Sequence, residues 1–195
     1  GDLSSFKREK SGVKRTESNS LESVTPSLAN AIGNFYSGNF QLAEKCFAGY
    51  AKTNPDSAKA LFYRGCNFNG LEEWKVAIRE FDRLIKKNPN HLEAYYHRAY
   101  ALEGLGDVKK AQKDLQTIVT GKAAFRHRAL DRLGKIAVNH GRFDEAVNFY
   151  SESIAQIPTI GRTWFLRGKV YQKQGKVALL RSDFAQAKKL GYKMQ

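Results

Sequence analysis

One ten-residue frame recurs five times along the chain: GNFQLAEKCF from Gly38, EEWKVAIREF from Glu72, GDVKKAQKDL from Gly106, GRFDEAVNFY from Gly141 and GKVALLRSDF from Gly175. Two places after each start stands a large apolar residue, five places after it a small or aliphatic one, and nine places after it an aromatic or Leu. The starts lie 34, 34, 35 and 34 residues apart. So regular a period restricts the chain to architectures in which one small unit is stacked on its neighbours.

The unit is helical. Ahead of each frame lies a second run, SLANAIGNFYSG, LFYRGCNFNG, YYHRAYALEGLG, LDRLGKIAVNHG or WFLRGKVYQKQG, with apolar residues at spacings of three and four. Those spacings mark one face of a helix. Each run is expected to close at Gly38, Gly70, Gly106, Gly141 or Gly175, where glycine takes the left-handed conformation that ends helices. Pro55, Pro89 and Pro158 end the second helix in three copies, since proline cannot continue a helix interior. Each repeat therefore reads helix, tight turn, helix, with starts at Val24, Ala58, Leu92, His127 and Gly161.

Counting places from those starts, a small residue recurs at the eighth: Ala31, Gly65, Ala99, Gly134 and Gly168. Ala43, Ala77, Ala111 and Ala146 recur at the twentieth, and Ala77 is expected to face Gly65. Small residues let helix axes approach the lower end of the usual spacing of about 8–10 Å. Phe40, Trp74 and Phe143, with Phe47, Phe81, Tyr150 and Phe184, are expected to fill the space between successive pairs. One pair cannot bury both its faces, so the pairs must stack.

A 34-residue helix–turn–helix with this pattern and a proline near its end resembles the tetratricopeptide repeat. The resemblance covers residues 24 to about 190 and implies an all-α, right-handed superhelical solenoid of five repeats, a domain spanning 24–195 behind a polar tail of 1–23. There are departures. The family's Trp at place four survives only as Trp164, repeat three lacks the proline and carries one extra residue around TGKAA, and Leu180 stands where the small Ala is expected. The pentatricopeptide repeat, a 35-residue RNA reader, matches less well.

Composition excludes several classes. No apolar run approaches the length of about 18 residues that a membrane span needs. Cys46 and Cys66 lack C-x-x-C spacing and suggest no disulfide framework, which points to a reducing compartment, cytoplasmic or nuclear. His91, His97, His127 and His140 are scattered and form no metal-binding pattern; no nucleophile elbow or phosphate-binding glycine loop occurs either. No enzyme, cofactor or metal is expected, and Cys66 reads as a small packing residue.

Charge is distributed unevenly. The chain carries 33 basic and 19 acidic residues, net +14. Residues 161–195 hold nine of the basic residues against Asp183 alone, and so account for +8.

By resemblance, places 2, 5, 6, 9, 12 and 13 of each repeat face a concave groove. Tyr63, Tyr96 and Tyr100, with Phe35, Tyr36 and Phe62, make its N-terminal part aromatic. Arg128, Arg132, Lys135, Arg162 and Lys169, with Lys173 and Phe165, make its C-terminal part basic. An aromatic shelf beside a basic patch suits a peptide with apolar anchors and acidic groups. The alternative is that the tyrosines pack between helices and the cations form a solvated face, with Asp131 pairing off Arg128 and Lys135. The carboxylate clamp of chaperone-binding members is absent: the best frame offers Phe62, Cys66, His97, Arg128 and Arg132, of which only the last two fit. Arg64, Arg98 and Arg167 share the seventh place and read as structural bridges between helices.

The expected function is a scaffold or adaptor holding a segment of another protein, with binding of nucleic acid or another anionic surface through the last repeat as the alternative. The tail SSFKREKSGVKRTESNSLES reads as a flexible linker or regulatory segment. The chain opens on Gly, so further repeats outside it are expected. Leu179, Leu180 and Leu190 are expected to lie partly open at the last repeat, favouring weak self-association or continuation of the stack.

Overall fold

The computed structural model describes residues 27–121 and 123–193. The tail and the repeat start at Val24 lie outside the described residues. Ten helices run through these residues, with no strand among them: α1 (Leu28–Tyr36), α2 (Phe40–Thr53), α3 (Ala58–Gly70), α4 (Trp74–Lys87), α5 (Leu92–Leu105), α6 (Val108–Thr120), α7 (Arg126–Asn139), α8 (Phe143–Gln156), α9 (Gly161–Lys173) and α10 (Val177–Lys189). They form two compact units, one ending at Gly106 and the other beginning at Asp107. In the first, α1 packs on α2, α3 on α4 and α4 on α5. In the second, α6 packs on α7, α7 on α8, α8 on α9 and α9 on α10.

Local sequence sets the boundaries. The Ser57 hydroxyl accepts the Ala60 N–H at 3.3 Å and the Asp107 carboxylate accepts the Lys110 N–H at 3.3 Å. Such caps satisfy donors that have no partner inside the helix and stabilise by about 1 kcal/mol each. Helices α2, α4 and α8 end at Thr53, Lys87 and Gln156, each two residues before its proline.

The turn inside each repeat corrects one expectation. Gly38, Gly106, Gly141 and Gly175 are left-handed as expected, but Gly70 lies within α3 and the left-handed residue there is Glu72, at φ 62°. Glu72 begins its ten-residue frame as the four glycines begin theirs, so the backbone conformation belongs to the frame rather than to the residue type. Gly70 has a different task. A Cβ there would meet the Phe40 ring at 2.8 Å, and at the equivalent Gly104 one would meet the Trp74 ring at 2.6 Å. Rings that begin α2 and α4 thus rest on bare backbone of the following repeat.

Packing inside the pair sets rings against small residues. Ala77 is fully buried, but the atoms nearest a Cβ at Gly65 belong to Phe81, at 2.7 Å. Gly134 faces Tyr150 and Gly168 faces Phe184 in the same way, at 2.7 Å. These aromatics therefore close their own helix pair, and Phe81 also reaches the next repeat, its ring stacked on His97 at 6.2 Å. Phe47, Phe81, Leu84, Leu115 and Leu130 are fully buried, and the hydrophobic term for such side chains is about 1.5–3 kcal/mol each.

The last repeat is closed partly by the residues just beyond α10. Gly191 is left-handed, the Tyr192 N–H donates to the Ala187 carbonyl at 3.0 Å, and the Tyr192 ring lies 5.1 Å from Phe165. Leu180 and Leu190 are half-buried, while Leu179 remains 46% exposed.

Candidate binding surfaces

In the first unit, aromatic side chains gather on the first helices of successive repeats. The Tyr36 and Tyr63 hydroxyls are 3.2 Å apart, and their rings meet edge to face at 6.0 Å. That hydrogen bond, followed by burial, pushes the Tyr63 phenol up to about 12. Phe62 abuts Tyr63 at 5.4 Å and His97 at 5.4 Å, and Tyr96 meets His97 at 5.6 Å. Tyr100 stands edge-on at 5.6 Å to Trp74, whose ring fills the space that Gly104 leaves one turn on. Edge-to-face pairs of this kind contribute about 0.5–1.5 kcal/mol beyond their burial. Tyr63, Tyr96 and Tyr100 are half-buried, and Tyr36 is 52% exposed. Each of these rings thus has packed neighbours and an open side.

In the second unit, Arg128, Arg132 and Lys135 lie on α7, and Arg162 and Lys169 on α9. Lys135 and Lys169 are exposed; Arg128 and Arg132 are half-buried. The residue that ties the two helices together is Asp131, which turns inward and is 9% exposed. It accepts from the Ser153 hydroxyl of α8 at 2.7 Å and the Thr163 hydroxyl of α9 at 3.0 Å, and Arg162 approaches it at 3.9 Å. Burial raises its carboxyl, opposed by the bonds from Ser153 and Thr163 and then by the charge of Arg162. Burial likewise lowers the imidazole of His127 nearby, with Asp131 opposing. Asp131 therefore does not pair with Lys135, which has no carboxylate within 4.0 Å among the described residues. The notion of Asp131 as a solvent-side counter-ion gives way to a buried hub joining three helices.

The arginines at place seven are structural bridges, made through carboxylates. Arg64 donates to Glu44 at 2.8 Å and to Glu80 at 2.9 Å. Arg98 meets Asp82 at 2.6 Å. Arg167 clasps Asp183 with two bonds of 2.8 Å and reaches the Ser151 hydroxyl at 2.9 Å. Bidentate guanidinium–carboxylate pairs are among the strongest side-chain hydrogen bonds. Their signal in the sequence is the spacing of 16 residues shared by Arg64 with Glu80 and Arg167 with Asp183.

Cys66 is buried and its thiol is pushed far up by that burial, which suits packing and not nucleophilic attack. Sequence reasoning missed Asn67 and Asn69, buried in α3, whose amides donate to the Phe40 carbonyl at 3.0 Å and the His97 carbonyl at 2.9 Å, tying α3 to the repeats before and after it. Among the described residues no helix is long and apolar enough to cross a membrane, and no His, Cys, Asp and Glu cluster could hold a metal ion.

The sequence signature of the tetratricopeptide repeat matches residues 59–91, which span α3 and α4, and again residues 80–113, from within α4 through α5 into α6. No curated protein matches the sequence. Among solved structures, a crystal structure of MamA is 20% identical with a TM-score of 0.74, covering 83% of this chain and 94% of that one. The pilF protein of Pseudomonas aeruginosa is 15% identical with a TM-score of 0.73, covering 85% and 74%. YrrB, described as a tetratricopeptide-repeat protein with an unusual peptide-binding site, is 18% identical with a TM-score of 0.64, covering 82% of each chain. At such identities the likeness is one of fold. The two signature matches overlap and together span residues 59–113; with helix pairs that recur every 34 or 35 residues, they show tetratricopeptide repeats in this chain.

Proposed function

We propose that this protein is an interaction module whose second unit holds an acidic segment of another protein along α7 and α9. One observation carries the reading. The last repeat has a single acid, Asp183, which is 2% exposed and already clasped by Arg167. Lys169 on α9, like Lys135 on α7, is therefore exposed with no carboxylate in salt-bridge range among the described residues. Arg162 leans on Asp131 yet keeps a side chain 55% exposed. Ammonium groups standing clear of the core supply charge-assisted bonds to carboxylates, each contributing about 1.5–3 kcal/mol net. Arg128 and Arg132, half-buried beside them, set the edge of the same surface.

The first unit supports a complementary reading. Tyr63, Tyr96 and Tyr100 offer open sides of packed rings, which suit apolar anchors of an extended or helical peptide. Peptide binding by YrrB, a protein of the same fold, is consistent with this use of the scaffold.

The test of the acidic-segment reading is Lys135→Glu combined with Lys169→Glu, assayed against a labelled peptide rich in Glu with interspersed Leu. Arg162 is left in place because a Glu there would face the buried Asp131. Affinity should fall about tenfold or more, equivalent to about 1.4 kcal/mol, with the melting temperature unchanged. Undiminished binding would move the site to the aromatic face around Tyr63 and Tyr96.

A further inference from the structure

The side of α10 turned away from α9 carries a surface that the acidic-segment reading does not use. Asp183 and Ala187 face inward and are buried, while Arg181, Ala185, Lys188 and Lys189 are exposed. At the start of the helix Val177 stands open on this side at 53% exposure; Leu179, two residues on, is 46% exposed but lies on the opposite side of the helix. Arg181, Lys188 and Lys189 have no carboxylate within 4.0 Å among the described residues, since the one acid of this repeat lies beneath them and belongs to Arg167. Helical spacing puts Val177, Arg181 and Lys188 on one line, four and seven residues apart, with the small Ala185 between the cations.

We propose that this face of α10 docks on an anionic lipid surface. Cations alone would equally suit nucleic acid, but two features favour lipid. Phe184, between the cations, is turned inward against Gly168 and offers no ring to stack on bases, and Val177, in line with Arg181 and Lys188 at the helix start, is aliphatic, of a kind that enters the boundary between headgroups and acyl chains. Two of the three cations are lysines, point charges on flexible apolar stems that reach to headgroup phosphates while the stems stay on the apolar side. Anionic leaflets attract such clusters, and the attraction fades within a Debye length.

The experiment is co-sedimentation of the whole chain with vesicles of phosphatidylcholine alone and with vesicles of equal parts phosphatidylcholine and phosphatidylserine. Binding should appear with the mixed vesicles only and weaken as salt is added. Arg181→Glu, Lys188→Glu and Lys189→Glu together should abolish it. Val177→Ser, which leaves every charge in place, should weaken it several-fold; all four positions are exposed, and unchanged helical circular dichroism confirms folding. Equal binding to neutral vesicles, or mixed-vesicle binding that survives the triple reversal, overturns the proposal. So does serine-variant binding equal to the parent, or retention on duplex DNA without vesicle binding, which assigns the face to a polyanion. Lys135→Glu with Lys169→Glu should leave vesicle binding intact; its loss there would place the contact on α9 and overturn the assignment to α10.

Discussion

The first helices of the two units share a backbone plan and differ in what they show. At place eight both are small and buried: Gly65 and Ala99 in one, Gly134 and Gly168 in the other. At place nine the first unit has Cys66 and Tyr100, the second Lys135 and Lys169. The difference is one of space. A Cβ at Gly65, Gly134 or Gly168 would strike a ring of the partner helix at 2.7 Å, so that position is fixed by volume. Place nine meets no such wall in the second unit, where both lysines are exposed. Positions confined by packing repeat along the chain, whereas positions that face water, such as place nine in the second unit, are free to change residue type.

The largest expected effect contrasts the two bridging arginines. Arg167→Ala strands Asp183, whose side chain is 3% exposed and receives both of its guanidinium bonds from Arg167. Removing one partner of a buried pair costs about 3–5 kcal/mol. Arg64→Ala should cost less, because Glu44 is 23% exposed and Glu80 retains Arg83 at 3.4 Å. Urea denaturation of the two variants measures the difference; equal losses would mean that burial of the acid does not set the cost.

Place twenty supplies the next contrast. Ala77→Leu forces a larger side chain into a fully buried site and should destabilise by about 1–3 kcal/mol through overpacking. In the last repeat Leu180 already occupies the equivalent place and is only half-buried, so Leu180→Ala should cost no more than about 1 kcal/mol. Thermal melts of the pair would break the comparison if Ala77→Leu were neutral.

Most of the architecture is legible in the sequence because local spacing carries it. The repeat period, the turn positions and the prolines each leave marks within a few residues, and the helix ends fall at them. Contacts between residues far apart in sequence are harder to read. Gly70 reads as a turn glycine, although the turn conformation belongs to Glu72, which begins the frame; the function of Gly70 depends on Phe40, thirty residues earlier. The role of Asp131 depends on Ser153 and Thr163, 22 and 32 residues away, which no periodicity joins. Its one local hint is position: place five holds Phe62, Tyr96 and Phe165 in the neighbouring repeats and a carboxylate only here. The exposed cations at Lys135 and Lys169 are legible as charges, but their lack of counter-ions becomes visible only once Asp131 and Asp183 are seen to turn inward.

Asp131 also gives the smallest and most specific contrast. Asp131→Ala leaves the Thr163 hydroxyl without its acceptor in a buried site and Ser153 with only the His127 carbonyl at 3.2 Å, at a cost of about 1–3 kcal/mol. Asp131→Asn keeps one acceptor for Ser153 and offers an amide that the Thr163 oxygen can accept, so its cost at neutral pH should stay below about 1 kcal/mol. The sign of the pH dependence separates charge from shape. Burial raises the folded-state carboxyl above its unfolded value, so the folded protein binds this proton more tightly. The stabilisation from that proton is complete below the ordinary carboxylate range and is lost as pH rises through the raised value. Relative to Asp131→Asn, which has no such proton, the parent should therefore gain stability as pH falls from neutral into the acid range. Melting curves of both proteins across that range measure it. A parent that loses stability relative to Asp131→Asn on acidification would show that Arg162 and the two hydroxyls, rather than burial, govern the carboxylate.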